Sequence, residues 1–462
     1  MIITLLSIVG ILYLAIEMQN RLKIPSPLSL IVLSYLVHLL VQQIPLLTGD
    51  PERFAALVIL LLPILLISDS LELRIEDLKE HGLSLFYLAV VAVALSVVLG
   101  ILTANTLFGE YQLSVAAIIV LFAMVLATDP VSVVSIFSNF ELPHKLKILA
   151  EGESLLNDAT ALIVFVFVGL YALEGDEVGV GYVTEISLIV VLGSALLGIA
   201  IGFAGLFLMK TTVNRISELL LLVATGYSAF ELAEHFYVLL NLFGAHSHLH
   251  LSGILACILA TITINHILTQ ETVREEQTLD AEEEKLRAES MRTKTSGRSI
   301  AGLLAKIKIS LEEAERHKRS REDVQLLALV ANTILFVAMA EIIDFQLLWQ
   351  YKQEILVMFV ATTVIRALMM AKFAIITNRT KKMANVNFRW WGVLTFAGIK
   401  GGLSIVMLTL IPASFEHLEM FKAIVIGVIL LSTFIYSGVL LALIGSNREA
   451  FLKEKVAEEE AH

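Results

Sequence analysis

Apolar residues run along this chain in blocks of roughly 18–27, long enough for a helix to cross a hydrocarbon core of about 30 Å. They do not alternate with polar residues as the strands of a membrane barrel would. Thirteen such blocks are predicted as spans, over residues 2–19, 27–44, 54–72, 83–108, 113–139, 147–173, 183–209, 217–239, 250–269, 324–346, 354–377, 389–411 and 420–444. The pattern predicts an all-α polytopic membrane protein. The first block lacks a basic run before it and a small-residue cleavage site after it, so it is expected to remain as a helix.

Composition agrees with the pattern. The chain is 57% hydrophobic and 17% charged, against about 45–50% and about a quarter in soluble domains. Its net charge of −11 sits mostly in loops and tails and says little about a substrate. The single cysteine, Cys257, excludes an internal disulfide and a thiolate metal site. Lysine and arginine then orient the spans. Loops after even-numbered spans, counted with the span ends beside them, hold only Arg53, Lys352 and Lys422, and three more (Arg366, Lys372, Lys400) lie deeper within spans. The rest follow odd-numbered spans or lie in the tail. Because cytoplasmic loops carry the positive excess, the N-terminus is expected outside and the C-terminus inside. The segment 270–323 then becomes a cytoplasmic loop, read as a solvated connector in which 299–317 could form an amphipathic helix. No cofactor is expected; no phosphate-binding G-x-x-x-x-G-K-[ST] string occurs, so ATP-driven transport has no engine here. Nucleic acid is not an expected partner; membrane lipid is.

Ionisable residues inside a bilayer are costly and mark function by default. In the fifth span the apolar run breaks at Thr128-Asp129-Pro130, where proline removes a donor and clashes with the preceding turn. The carbonyls so freed are tolerated only against protein or a water-filled cavity, and they are hard oxygen ligands. The sixth span opens Glu151-Gly152-Glu153-Ser154-Leu155-Leu156-Asn157-Asp158. Ser154 and Asp158 are four apart and share a helix face; Glu153 and Asn157 form a second such pair on a neighbouring face. A hydroxyl and a carboxylate can thus converge on the break. That oxygen set, with net negative charge and no imidazole or thiolate, suits a hard cation and not zinc or copper. Glu151 is expected at headgroup level.

The second half carries matching features. Arg366 lies mid-span and, always charged, needs a carboxylate; Glu153 is the expected partner. Gly398-Ile399-Lys400-Gly401-Gly402 interrupts the twelfth span. With spans 1–6 as one unit, span 7 as a connector and spans 8–13 as another, both breaks fall in the fifth helix of their unit, and the units are inverted. The division places the first repeat at 1–173, the connector at 174–216, the second repeat at 217–444 and a cytoplasmic tail at 445–462. Interrupted segments at corresponding positions of inverted halves point to a transporter's site. Asp129 is expected to neutralise the positive end of a half-helix and Lys400 a negative one. That leaves Asp158 to alternate between a proton and a cation.

Ala127-Thr128-Asp129-Pro130-Val131 and Glu151 through Asp158 resemble the signatures of NhaP-like sodium/proton antiporters, relatives of the animal sodium/hydrogen exchangers. Arg366-Ala367-Leu368, the glycine-flanked Lys400 and Leu251 through Ala256 are similar to later motifs of that family. The resemblance covers about 1–444. It implies a homodimer of thirteen-helix chains in the cell's inner membrane, serving pH homeostasis, with broken helices 5 and 12 crossing in the core. It further implies that Asp158 binds cation and proton alternately. Ser154 and the Thr128 carbonyl would help ligate Na+, Asp129 and Asn157 would complete the cation- and proton-binding set, and Glu153–Arg366 would be a structural ion pair. Asn157 marks the branch usually electroneutral. Two departures stand out. Ser68, with Asp69 beside it, occupies the place of a glutamate that approaches the ion in many relatives. Lys400 stands where arginine is common.

Two other readings remain: potassium/proton exchange on the same fold, and an intramembrane aspartyl protease with Asp129 and Asp158 as its dyad. A channel would not need a titratable ligand at the crossing. His246, His248 and His250 alternate in one loop, and the reading preferred for them is a polar loop with no tuned role. Glu17, Glu231 and Glu234 are expected to be interfacial or paired.

Overall fold

The structure, a computed structural model, describes residues 2–22, 24–40, 51–73, 75–173, 175, 179–212, 214–242, 250–290, 297–380, 383 and 385–460. Among the described residues the regular structure is all helix. The helices are α1 Ile2–Leu22, α2 Ser26–Leu40, α3 Pro51–Glu72, α4 Ile75–Tyr111, α5 Val115–Leu126, α6 Pro130–Phe137, α7 His144–Leu173, α8 Val180–Met209, α9 Arg215–Glu234 and α10 Phe236–Leu242. There follow α11 Gly253–Ser290, α12 Gly297–Glu341, α13 Phe345–Gln350, α14 Lys352–Thr377, α15 Phe388–Phe396, α16 Leu403–Thr409, α17 Leu418–Ser446 and α18 Arg448–Glu459. Where described, every predicted span falls on one of these helices or on a broken pair; 41–44, the end of the second span, lie outside the described residues. Among the described residues ten helical stretches are long and apolar enough to cross a membrane, and Ser26–Leu39 is a shorter apolar one.

Two compact units are distinguished. One comprises Met1–Leu65, Glu76–Gly193 and Val330–His462; the other comprises Leu66–Ile75 and Ser194–Leu329. These units follow packing, whereas the inverted repeats were drawn from order along the chain.

In the first unit α5 is apolar on every side and buried from Ala117 through Leu126, save Ile119, as expected of a helix enclosed by protein. Ser114 caps its start, accepting the Ala117 N–H at 3.1 Å. Helical geometry ends at Ala127, whose ψ of 140° is extended. Pro130 then takes the first position of α6, where its missing N–H costs nothing. The second break lies between α15 and α16. Asn387 caps α15 through the Trp390 N–H at 2.9 Å, and residues 397–402 leave the helix before α16 begins. The two unwound stretches meet: Asp129 N–H donates to the Ile399 carbonyl at 2.7 Å. Two glycines permit the approach. A Cβ on Gly401 would lie 2.8 Å from Asp129 Cβ, and one on Gly398 would run into the Arg366 guanidinium.

In the second unit α8 lies against α11 through small residues. A Cβ on Gly202 would stand 2.7 Å from the Ala260 carbonyl, and Gly198 meets Ala256 in the same way one turn earlier. Small residues four apart on facing helices let backbones close up where lipid supplies no hydrophobic drive. Ala229 and Ala233 on α9 and Ala256 and Ala260 on α11 form the buried cluster beside it.

The segment expected to be a solvated connector is helical wherever described: α11 continues to Ser290 and α12 starts at Gly297. Glutamate, lysine, arginine, alanine and leucine are strong helix formers that tolerate water equally well. Partway along α12, Arg316 and His317 meet the buried Glu218, which accepts from Arg316 Nε at 2.8 Å and His317 Nδ1 at 2.5 Å, while Arg215 pairs with Asp323. Glu17 pairs with Arg21, Glu231 with His235, and Glu234 accepts the Gly253 N–H at 2.9 Å. His250 meets the Glu234 carbonyl at 2.7 Å; His246 and His248 lie outside the described residues.

Candidate ion-binding site

The first break and α7 bring four oxygen-bearing side chains together in the first unit. Thr128, Ser154, Asn157 and Asp158 are all buried. The extended backbone at Ala127–Asp129 points the Thr128 N–H at Asp158 Oδ1, 2.9 Å away. Ser154, one turn before Asp158 on α7, donates to Thr128 Oγ1 at 2.9 Å. Asn157 donates to the same oxygen at 3.3 Å and to the Leu126 carbonyl at 2.9 Å. Its own Oδ1 is buried and receives no donor among the described residues. Helix spacing had set Asn157 with Glu153 on a neighbouring face. In the structure the two part: Asn157 joins Asp158, and Glu153 faces Arg366.

Glu153 and Arg366 form a two-pronged pair, Nη1 to Oε1 at 3.0 Å and Nη2 to Oε2 at 2.7 Å. The guanidinium also donates to main chain, from Nη2 to Leu394 O at 3.0 Å and from Nε to Thr395 O at 2.9 Å. These are orphaned carbonyls at the end of α15. At α15 Arg366 therefore shares the compensation expected of Lys400, since its fork has donors enough for both tasks. Lys400 is buried between the half-helices, and its N–H donates to Ser432 Oγ at 3.1 Å.

Asp129 caps α6. Its carboxylate accepts the Val131 and Ser132 N–H groups, each at 3.2 Å, and the Ser132 hydroxyl. Among the described residues it shares no hydrogen bond with Asp158. Ser68 is buried, and Ser68 and Asp69 belong to the second unit. Glu151 is half-buried near the start of α7.

Two buried carboxylates (Glu153, Asp158) and the half-buried Asp129 stand against two buried cations (Arg366, Lys400), and Asp158 lies within electrostatic range of the other two carboxylates and of Lys400. When all are charged, one negative charge is left over, which one proton or one monovalent cation cancels. A hard oxygen set of this kind accepts a small cation. Sequence reasoning missed two contributors. Ser404 donates to Met124 O at 2.7 Å, closing the end of α5, and Ser432 holds Lys400 N–H. A serine shortly after a glycine-rich break was the only signal for Ser404; nothing local marked Ser432.

Comparison with known proteins agrees with this architecture. The model of the transmembrane sodium/hydrogen exchanger family matches residues 4–291, more than half of the chain. The chain is 27% identical over 246 residues to the Na(+)/H(+) antiporter NhaH of Halobacillus dabanensis, covering 51% of this chain and 60% of that protein. It is 24% identical over 409 residues to the Na(+)/H(+) antiporter ApNhaP of Aphanothece halophytica, covering 88% and 67%. The fold is similar to that of the sodium proton antiporter MjNhaP1 from Methanocaldococcus jannaschii, with a TM-score of 0.65 at 17% identity over 95% of this chain and 99% of that one. With the regular structure of its described residues all helical and its broken helices joined at a buried oxygen cluster, the chain belongs to the sodium/hydrogen exchanger family.

Proposed function

We propose that this chain exchanges Na+ for H+ across a membrane by alternating access, with Asp158 binding cation and proton in competition. The observation that carries the reading is the oxygen cluster itself. Asp158, Ser154 and Thr128 are gathered on a backbone break, with an undonated Asn157 Oδ1 beside them. The family's name and those of its relatives, Na(+)/H(+) antiporters, supply the ion. One uncompensated negative charge supports one-for-one, electroneutral exchange. The charged site, empty of both ligands, is costly to move through a low-dielectric interior, so a single carboxylate serving both ligands suppresses leak. The architecture we assign is a homodimer of thirteen-span chains in the inner membrane. Two inverted repeats sit about a connector, with the N-terminus outside and 270–323 and the C-terminus inside.

The test is purified protein in liposomes, with internal pH followed after sodium, potassium or lithium pulses at set membrane voltages. Sodium-evoked proton flux, abolished by Asp158→Asn and indifferent to voltage, is expected. Flux that follows voltage at about 2.3 kcal/mol per charge per 100 mV refutes the one-for-one stoichiometry. Flux with potassium alone replaces the ion, and silence with every cation in folded protein ends the antiport reading.

A further inference from the structure

The helix after α17 sets two glutamates on the beginnings of the two helices that frame the site. α18 is anchored by Phe451, which is fully buried. Glu458 accepts the N–H groups of His144 at 2.8 Å and Lys145 at 3.1 Å, the first residues of α7. α7 has no cap of its own, because Pro143 precedes it and offers no side-chain acceptor. A carboxylate there satisfies orphan amides and meets the positive end of the helix dipole. Glu454, one turn earlier on α18, reaches α15. One oxygen accepts Asn387 Nδ2 at 2.9 Å and the Arg389 guanidinium; the other accepts Trp390 Nε1 at 2.8 Å. Lys455 adds an ion pair to Glu141 at 3.3 Å, just before α7.

α7 and α15 are therefore joined at two levels. The inner rung is Arg366, linking Glu153 to Leu394 and Thr395. The outer rung is α18, linking His144 and Lys145 to Asn387, Arg389 and Trp390. About nine residues of α7 separate the rungs, roughly 13 Å of helix. One rung fixes a distance and leaves the helices free to pivot about it; two rungs fix the register as well.

We propose that Glu454 and Glu458 are positioning residues for ion exchange. Through α18 they hold α7, with Ser154, Asn157 and Asp158, in register with α15, whose unwound end carries Lys400. The inference rests on the function proposed above.

The experiment uses the full chain in liposomes: wild type, Glu458→Ala, Glu454→Ala, both together, and Glu458→Gln. Initial proton flux is measured against sodium concentration, and amide hydrogen exchange is followed at the first turn of α7. Each single alanine variant is expected to raise KM for sodium about fivefold, ~1 kcal/mol at tenfold per 1.4 kcal/mol. The thermal midpoint should stay within about 3 °C of wild type. The double variant should be no worse than the poorer single, since either deletion opens the same rung; two independent caps would give losses that multiply. Glu458→Gln keeps one acceptor oxygen and should fall between. The His144 and Lys145 amides should exchange faster in Glu458→Ala. Unchanged KM in both alanine variants, or multiplying losses, overturns the proposal while leaving antiport intact. If the alanine variants fail to fold, an unchanged KM in Glu458→Gln overturns it instead. A wild type inert to every cation removes antiport and the positioning role together.

Discussion

Exchanging the partners of the buried ion pair, Glu153→Arg with Arg366→Glu, separates two roles that Arg366 combines. Both side chains are almost inaccessible, at 3% and 9%. Removing one partner of such a pair costs about 3–5 kcal/mol, because the survivor is left as an uncompensated buried charge. The single variants Glu153→Gln and Arg366→Ala should each lose about that much. If Arg366 were a charge and nothing more, the exchanged pair would recover the loss. The structure predicts otherwise. The guanidinium moved to α7 no longer sits where Nε meets Thr395 O at 2.9 Å and Nη2 meets Leu394 O at 3.0 Å. The carbonyl end of α15 faces a carboxylate instead. Two hydrogen bonds from a charged donor are worth roughly 3–6 kcal/mol together, so the exchanged protein should remain about that far below wild type. The assay is thermal unfolding in detergent, paired with sodium-evoked flux in liposomes. A midpoint several degrees low is expected, with flux largely lost. Recovery of both midpoint and flux to wild-type values would refute the reasoning and leave the α15 carbonyl bonds with no energetic weight.

Gly401→Ala should cost about 1–3 kcal/mol by pressing a Cβ to 2.8 Å from Asp129 Cβ, whereas Gly402→Ala, with nothing within 4 Å, should leave the thermal midpoint unchanged. Equal effects at the two positions would show that the breaks do not meet at Gly401. Ser154→Ala removes the donor to Thr128 Oγ1 and a site oxygen, and should raise KM for sodium roughly tenfold in folded protein, about 1.4 kcal/mol; an unchanged sodium titration would take Ser154 out of the site. Glu218→Ala should lower the thermal midpoint through the loss of the Arg316 and His317 contacts, about 1–3 kcal/mol. A midpoint equal to wild type would mean that this buried cluster does not hold α9 to α12.

The helices were legible because a membrane span is a local property: about twenty apolar residues declare it without reference to any partner. The breaks were legible for the same reason, since Pro130 and the glycines around Lys400 act on their own backbone. The pairing of Glu153 with Arg366 is a long-range statement, yet the sequence carried it, because a buried guanidinium requires a carboxylate and few were on offer. The destination of each orphaned backbone group was not legible. Ser404 on Met124 O and Ser432 on Lys400 N–H depend on where distant helices cross, and a serine looks alike in any span. A four-residue spacing says which side chains neighbour each other and not which helix they meet, so it left open that Asn157 and Glu153 would take different partners. α18 is polar and reads as a solvated tail, although its glutamates spend their oxygens on α7 and α15. A helix over 299–317 was legible, but its extension into the following span and that of α11 to Ser290 were not, because charge-rich sequence suits a helix in water as well as a loop.

A broken helix in a membrane is stable only if its freed groups are assigned, and here nearly every assignment leads to a residue of the candidate site. Leu126 O goes to Asn157, Met124 O to Ser404, Asp129 N–H to Ile399 O, and the Val131 and Ser132 amides to Asp129. Thr128 N–H goes to Asp158. On the proposed function this last bond has a consequence. An amide donates more strongly to a carboxylate than to a neutral carboxyl group. Protonating Asp158 therefore weakens the bond that holds Thr128 in place, whereas a cation leaves the carboxylate charged but competes for its oxygen. Either ligand alters the acceptor on which the first break depends, and through Asp129 N–H to Ile399 O the second break is only one hydrogen bond away. The group that selects between proton and cation is thus also part of the backbone's own closure, which is a physical reason for placing exchange at a helix break and not on an intact helix.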